Sequence, residues 1–185
     1  MKWLLLLPCW FAFNLLAYLL APILPLFAVV RYGQIENNND YAAGWRLPWQ
    51  LAYFDTLDNP LTGDAGHKAR TINNSEYWSM VLWLWRNPAV GFETLVLNAT
   101  LPPKTLVEAW GDPSVQDAPH GKEGYCFTRI ASYWNLVYIK RFGTRCIKLD
   151  LGWQLKTFAE GNPLTPSARY AMSVRLPLFK VQNAS

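Results

Sequence analysis

The longest uninterrupted hydrophobic run lies at the N-terminus. Trp3 to Val30 reads WLLLLPCWFAFNLLAYLLAPILPLFAVV, 28 residues without a charge and with Asn14 as the one strongly polar side chain. A helix needs roughly 20 such residues to cross the hydrocarbon core of a bilayer. The pattern therefore predicts a transmembrane anchor over residues 1–30. Pro8 is tolerable close to a helix start, where a missing N–H matters least. Pro22 and Pro25 each remove a backbone donor late in the run, which predicts a kink near Ala21 or a helix that ends there with an extended exit. Trp3, Trp10 and Tyr18 suit the membrane–water interface. The rival reading is a cleaved signal peptide with Lys2 as its charged region, but the run exceeds an h-region of roughly 7–15 residues and no A-x-A site closes it.

The pattern then changes twice. Residues 31–74 are polar and turn-rich and read as a linker with an acidic, tightly turned segment. Within it LPWQLAYF, with Trp49, Leu51 and Phe54, fits a short interfacial helix. Residues 75–88, SEYWSMVLWLWRNP, predict a short Trp-rich apolar helix: Ser75 is a good N-cap and Glu76 suits the positive end of the helix dipole. Trp78, Val81, Leu82 and Trp85 fall on one face, Tyr77, Met80 and Leu84 on the other, and Asn87-Pro88 stops it. Beyond it, YCFTRIASYW, LVYIKRF, TRCIKLDLGW and RYAMSVRLPLF are rich in aromatic and β-branched residues and predict antiparallel strands. Cys146, Lys148 and Asp150 alternate with Ile147, Leu149 and Leu151. Phe142-Gly143-Thr144 fits a hairpin turn, and Leu95–Leu97 and Thr105–Ala109 add short strands. The fold class is α+β: a transmembrane helix, a Trp-rich helix and a small antiparallel sheet, with residues 75–185 forming the body.

Charge divides along the chain. Arg31 to Thr128 carries 7 Lys and Arg against 11 Asp and Glu, a net of −4; Arg129 to Ser185 carries 9 against 2, a net of +7. The basic half is either an ordinary solvated face or a surface for anionic lipid headgroups. It comes with no RNP, helix-turn-helix or zinc pattern, so no nucleic-acid partner is expected. Lys2 before the apolar run against Arg31 and Arg46 after it leans toward a cytoplasmic body.

The candidate chemistry concentrates in FDTLDNPLTGDAGH, Phe54 to His67. Asp58, Asp64 and His67 are the candidate metal ligands, but the spacing is not that of an EF-hand loop, and no metal or cofactor is expected. The structural reading is a turn that docks the body on the membrane helices. In it Asp58 or Asn59 bonds its own backbone, Pro60 presets φ, Gly63 takes a positive φ, and Asp64 pairs with Arg70 or Arg86. Arg86, Asn87 and Pro88 complete the docking set. No G-x-S-x-G, H-E-x-x-H or phosphate-binding loop occurs, so no catalytic residue is assigned. Cys126 and Cys146 pair only if their strands are neighbours in an oxidising compartment; otherwise they are buried thiols.

Three motifs carry a resemblance. Phe54, Asp58, Asn59, Pro60, Gly63 and Asp64 form a W/F-x-x-x-DNP…GD pattern. Tyr77, Trp78, Trp83 to Ala89, Gly91 and Phe92 form a YW…WLWRNPA-x-GF block, and Leu151 to Lys156 form LGW-x-LK. The chain thereby resembles an uncharacterised family of small membrane-associated proteins of tailed bacteriophages. The resemblance implies a phage origin and the host bacterial inner membrane, and it brings no catalytic residue. The expected function is non-catalytic action at that membrane, as superinfection exclusion or envelope modification, with the bilayer and a host or phage membrane protein as partners. The alternatives are a lysis accessory of holin or spanin type and a membrane-bound metal-dependent hydrolase.

Overall fold

The computed structural model describes residues 2–34, 41–57, 59–97, 99–100, 107–115, 122–143, 145–156 and 167–175. They form an α+β protein in two compact units, Met1–Leu97 and Asn98–Ser185.

In the first unit the apolar run folds as α1, Lys2–Leu20. It is long and apolar enough to cross a membrane. The helix stops where Pro22 and Pro25 withdraw their donors, and a 3-10 segment, Leu24–Phe27, takes over. The segment expected as a linker is partly regular. β1, Val29–Gln34, and β2, Tyr41–Arg46, pair antiparallel from Val29↔Arg46 to Gln34↔Tyr41. A second 3-10 segment, Trp49–Phe54, stands where the interfacial helix was expected. Trp49 and Tyr53 point outward, while Leu51 and Phe54 pack on the core.

Three helices follow: α2, Ala65–Arg70; α3, Glu76–Arg86; and α4, Val90–Leu95. Ser75 caps α3 by accepting from Trp78 N–H, as the sequence predicts. The periodicity leaves the buried face open, and the structure selects it: Ser79, Met80, Val81, Trp83 and Leu84 are inside, and Trp78 and Trp85 are exposed. A helix apolar all round carries several stripes wide enough to bury, and its neighbours choose among them. Ala21, Leu24, Leu47, Leu61, Met80 and Leu84 form the core of the unit. Leu95 ends α4, and no strand forms over Leu95–Leu97.

The second unit is a six-stranded antiparallel sheet of order β3-β8-β7-β6-β5-β4. The strands are β3, Ala99–Thr100; β4, Val107–Gly111; β5, Gly124–Ile130; β6, Tyr133–Phe142; β7, Arg145–Lys156; and β8, Ser167–Arg175. The single strand expected over Tyr125–Trp134 is two strands joined by a turn, because Ile130 pairs with Tyr133 and Ala131 takes a φ of 53°. Neither Gly nor Asn marks that turn. The β6–β7 hairpin closes at Phe142↔Arg145 with Gly143 at φ 59°, as expected.

The alternation in β7 is present, and its polar side is the one buried. Cys146, Lys148 and Asp150 are inside, and Ile147, Leu149 and Leu151 are half-buried. Asn135 Nδ2 donates to Asp150 Oδ1 at 2.7 Å and to Leu151 O at 3.2 Å, so the aspartate enters the interior with a donor. Cys126 and Cys146 are free thiols in one cluster with Val115, Val137 and Ile139. They cannot pair. β6 lies between β5 and β7, and two strand spacings of about 4.8 Å exceed the span of a disulfide.

One contact in the first unit is closed by a missing side chain. A Cβ on Gly91 would stand 2.2 Å from Ala52 O and 2.6 Å from Asp55 O. Gly91→Ala must therefore push α4 off the second 3-10 segment. The expected loss is about 2 kcal/mol of stability, measured by chemical denaturation of the full chain in detergent.

Candidate functional site

Two linked polar constructions hold the first unit together, and the motif residues fall in them. The first is the turn after β2. Asp55, 1% exposed, accepts from Leu47 N–H at 3.1 Å through Oδ2 and from Thr56 N–H at 2.8 Å through Oδ1. Burial raises its carboxyl above the usual range, opposed by those two N–H groups and by Arg46. Buried Arg46 sends Nη1 to Leu57 O at 2.9 Å and to Asn59 O at 3.4 Å. Leu57 sits at φ 59°, a left-handed conformation that costs a branched residue about 1 kcal/mol or more. The guanidinium offsets that cost by bonding the carbonyl the conformation turns inward. Thr56 Oγ1 donates to Asn59 O at 2.9 Å and accepts from Trp83 Nε1 at 3.1 Å.

The rest of the motif continues the turn. Pro60 fills the space left by Gly44, where a Cβ would lie 2.8 Å from the ring. Gly63 takes φ 77° beside His67 and Trp83. Asp64 caps α2 through Oδ1, which accepts from His67 N–H at 2.6 Å; the ion pair with Arg70 or Arg86 expected of it gives way to this cap. Asn87 Nδ2 donates to Trp83 O at 3.1 Å at the end of α3, and the Arg86 guanidinium carbon lies 5.7 Å from the Trp83 ring centroid. Pro88 follows, half-buried. Asp58 lies outside the described residues. Among the described residues no group of three His, Cys, Asp or Glu side chains could hold a metal.

Among the described residues the histidine is His67, 3% exposed, and it stands near a serine. Its Nε2 lies 2.9 Å from Ser79 O and 3.2 Å from Ser79 Oγ. A carbonyl only accepts, so Nε2 carries the proton and donates. Ser79 Oγ is 2.9 Å from Thr71 Oγ1, and Thr71 donates to His67 O at 2.9 Å. Ser79 therefore donates to Thr71, and the ring of bonds closes. In this tautomer Nε2 has no lone pair to take the Ser79 proton. The pair is a structural knot and no nucleophile–base couple.

The second construction clamps α1. In a helix the N–H of residue 22 would serve Tyr18 O, and Pro22 has none. Trp85 Nε1 donates to Tyr18 O at 3.0 Å in its place. Pro25 likewise cannot serve Pro22 O in the 3-10 segment, and Tyr77 OH donates there. Tyr77 and Trp85, assigned to different faces by the periodicity, are only about 80° apart around α3, and both reach the end of α1. Further along α1, Phe13 stacks between Phe54, centroids 4.8 Å apart, and Phe92, 4.1 Å apart. Trp10 Nε1 donates to Glu93 Oε1 at 2.6 Å. No local pattern marks Tyr77 and Trp85 as donors, although two prolines closing an apolar helix demand such partners. Nor does a local pattern connect Arg46, Asp55, Thr71 and Ser79.

These features define an α+β protein whose apolar N-terminal helix is built into its first unit. The chain belongs to the family of unknown function DUF7338, whose family model matches residues 1–183. No curated protein and no solved structure matches the chain.

Two measurements follow. Tyr77→Phe and Trp85→Phe keep an aromatic ring and strand one carbonyl each, so each should cost about 1–3 kcal/mol in thermal or chemical denaturation. The second concerns pH. Burial pushes the His67 imidazole below its ordinary 6.5, reinforced by Arg70 and Arg86 and opposed by the Ser79 carbonyl. The unfolded chain then binds more protons, so stability rises with pH between the lowered value and 6.5, is complete above 6.5, and falls as pH drops below it. His67→Gln should flatten this slope in denaturation midpoints between about pH 5 and 7. Asp55, raised above 3.8, acts in the opposite sense and cancels in the comparison.

Proposed function

We propose that the protein is a membrane-attached, non-catalytic phage protein. On this reading it is an accessory factor acting at the host inner membrane in superinfection exclusion or envelope modification. The observation that carries the attachment is the surface of α1 and the segment after it. Leu4, Leu5, Phe11, Leu15 and Leu19 are exposed on the helix, and Ile23, Leu26, Phe27 and Val30 follow, with no charge between Trp3 and Val30. Water-soluble surfaces rarely carry an apolar patch of that extent. The non-catalytic reading is supported by the polar groups of the motif, which are spent on holding the turn and α2. The phage setting rests on the DNP…GD and WRNPA-x-GF motifs, and the basic half of the chain suits anionic headgroups.

The full chain expressed in bacteria should sediment with membranes and stay there through alkaline carbonate; release into the supernatant overturns the attachment. Deleting the gene from a phage that carries it should change superinfection immunity or plating. If both are unaffected while the protein remains in the membrane, the accessory role fails and the attachment stands.

A further inference from the structure

α1 is one-sided. Trp3, Asn14, Ala17 and Ala21 are buried, and Trp10 is half-buried with its indole N–H on Glu93. At 3.6 residues per turn these positions form one stripe running the length of the helix. Leu4, Leu5, Leu15, Leu16 and Leu19 are exposed on the opposite side. A helix that leaves its domain to cross a bilayer would be open all round instead.

The clamp contacts fall at Trp10, Phe13, Tyr18 and Pro22. From Trp10 to Tyr18 they keep α3, α4 and the second 3-10 segment beside α1 over roughly 12 Å of its axis, in the middle of what would be a hydrocarbon core of about 30 Å. If α1 stood upright in the bilayer, these elements would enter the core with it. They would carry Glu93, bonded to Trp10 near the middle of α1, to a depth where charge is excluded. Laid flat, the helix keeps those groups on the aqueous side and puts the open face alone into lipid.

Resting on the membrane attachment proposed above, we infer that α1 lies in the plane of one leaflet and does not cross the bilayer. Its covered face is toward the protein and its open face is in the acyl chains. The occupant of the open face is lipid. An ordinary in-plane helix carries its own charged face toward water. Here the protein covers that face, so α1 has no need of charge there and its sequence imitates a span. The protein is then monotopic, with Lys2 and the α2–α3 turn on the same side of the membrane.

The test uses the full chain with Cys9 replaced by Ala, in cells and in vesicles of phosphatidylethanolamine and phosphatidylglycerol. An impermeant maleimide is read at Lys2→Cys and, separately, at Ile72→Cys, an exposed site between α2 and α3. Nitroxides at Leu5→Cys, Leu15→Cys and Leu19→Cys report depth through collision with lipid-dissolved oxygen against a water-soluble nickel chelate. Labelling of both sites from one side, with the three nitroxides at one shallow depth, is expected. Labelling from opposite sides, or a depth that passes through a maximum along the helix, overturns the in-plane arrangement and leaves the attachment intact. Nitroxides reached by neither quencher place a second protein molecule on the open face and overturn the lipid assignment. Nitroxides reached by the chelate alone overturn the attachment itself.

Discussion

Two prolines set the problem that the first unit solves. Pro22 and Pro25 end α1 and leave the carbonyls of Tyr18 and Pro22 without their usual donors. In an apolar setting, where water is scarce, such carbonyls need protein donors. Trp85 and Tyr77 supply them from the two ends of α3. Aromatic residues suit this task because each brings one polar tip on a large apolar body. The same two bonds that complete the helix end also fix where α3 lies against α1. The exit of the helix and the docking of the unit are thus one event.

α3 carries the rest of the unit on its other sides. Met80 and Leu84 enter the core with Ala21, Leu24, Leu47 and Leu61. Ser79 closes the hydroxyl–imidazole ring with Thr71 and His67, and Trp83 donates to Thr56 in the acidic turn. That turn is therefore held from two directions: by Arg46 at the end of the hairpin and by the indole of α3. Its aspartate, arginine and threonine are buried because each is bonded, and burial in turn makes those bonds costly to break. In a segment that resembles a ligand site by composition, the described polar side chains Asp55, Thr56 and Asp64 are bonded within the unit.

The second unit shows the same priority of partners over hydropathy. β7 turns Lys148 and Asp150 inward, and the aspartate is met there by Asn135. The opposite side of the sheet carries an aromatic series in which Trp110, Phe127 and Trp134 follow one another at 5.5 and 6.2 Å. Gly152, at φ 104°, lets β7 approach Trp134 O, where a Cβ would stand at 2.3 Å. Cys126 and Cys146 behave as small apolar residues there, separated by a strand that no spacing in the sequence reveals.

The sequence by itself determined the local elements whose causes are local. The uncharged run made a helix, its prolines ended it, Ser75 and Asn87 bounded α3, and Gly63 and Gly143 took the positive φ their turns required. Alternation and β-branched residues located β6, β7 and β8. It left undetermined every feature that depends on a distant partner. The face of α3 that is buried, the inward side of β7 and the hairpin inside an apparent linker were each decided by packing. So were the role of His67 and the donors for the two stranded carbonyls. A period of 3.6 or 2 states which residues share a face, but not which face meets protein, water or lipid. Only the tertiary structure covers one side of α1 and leaves the other open, because the groups that cover it come from residues more than 30 positions further along the chain.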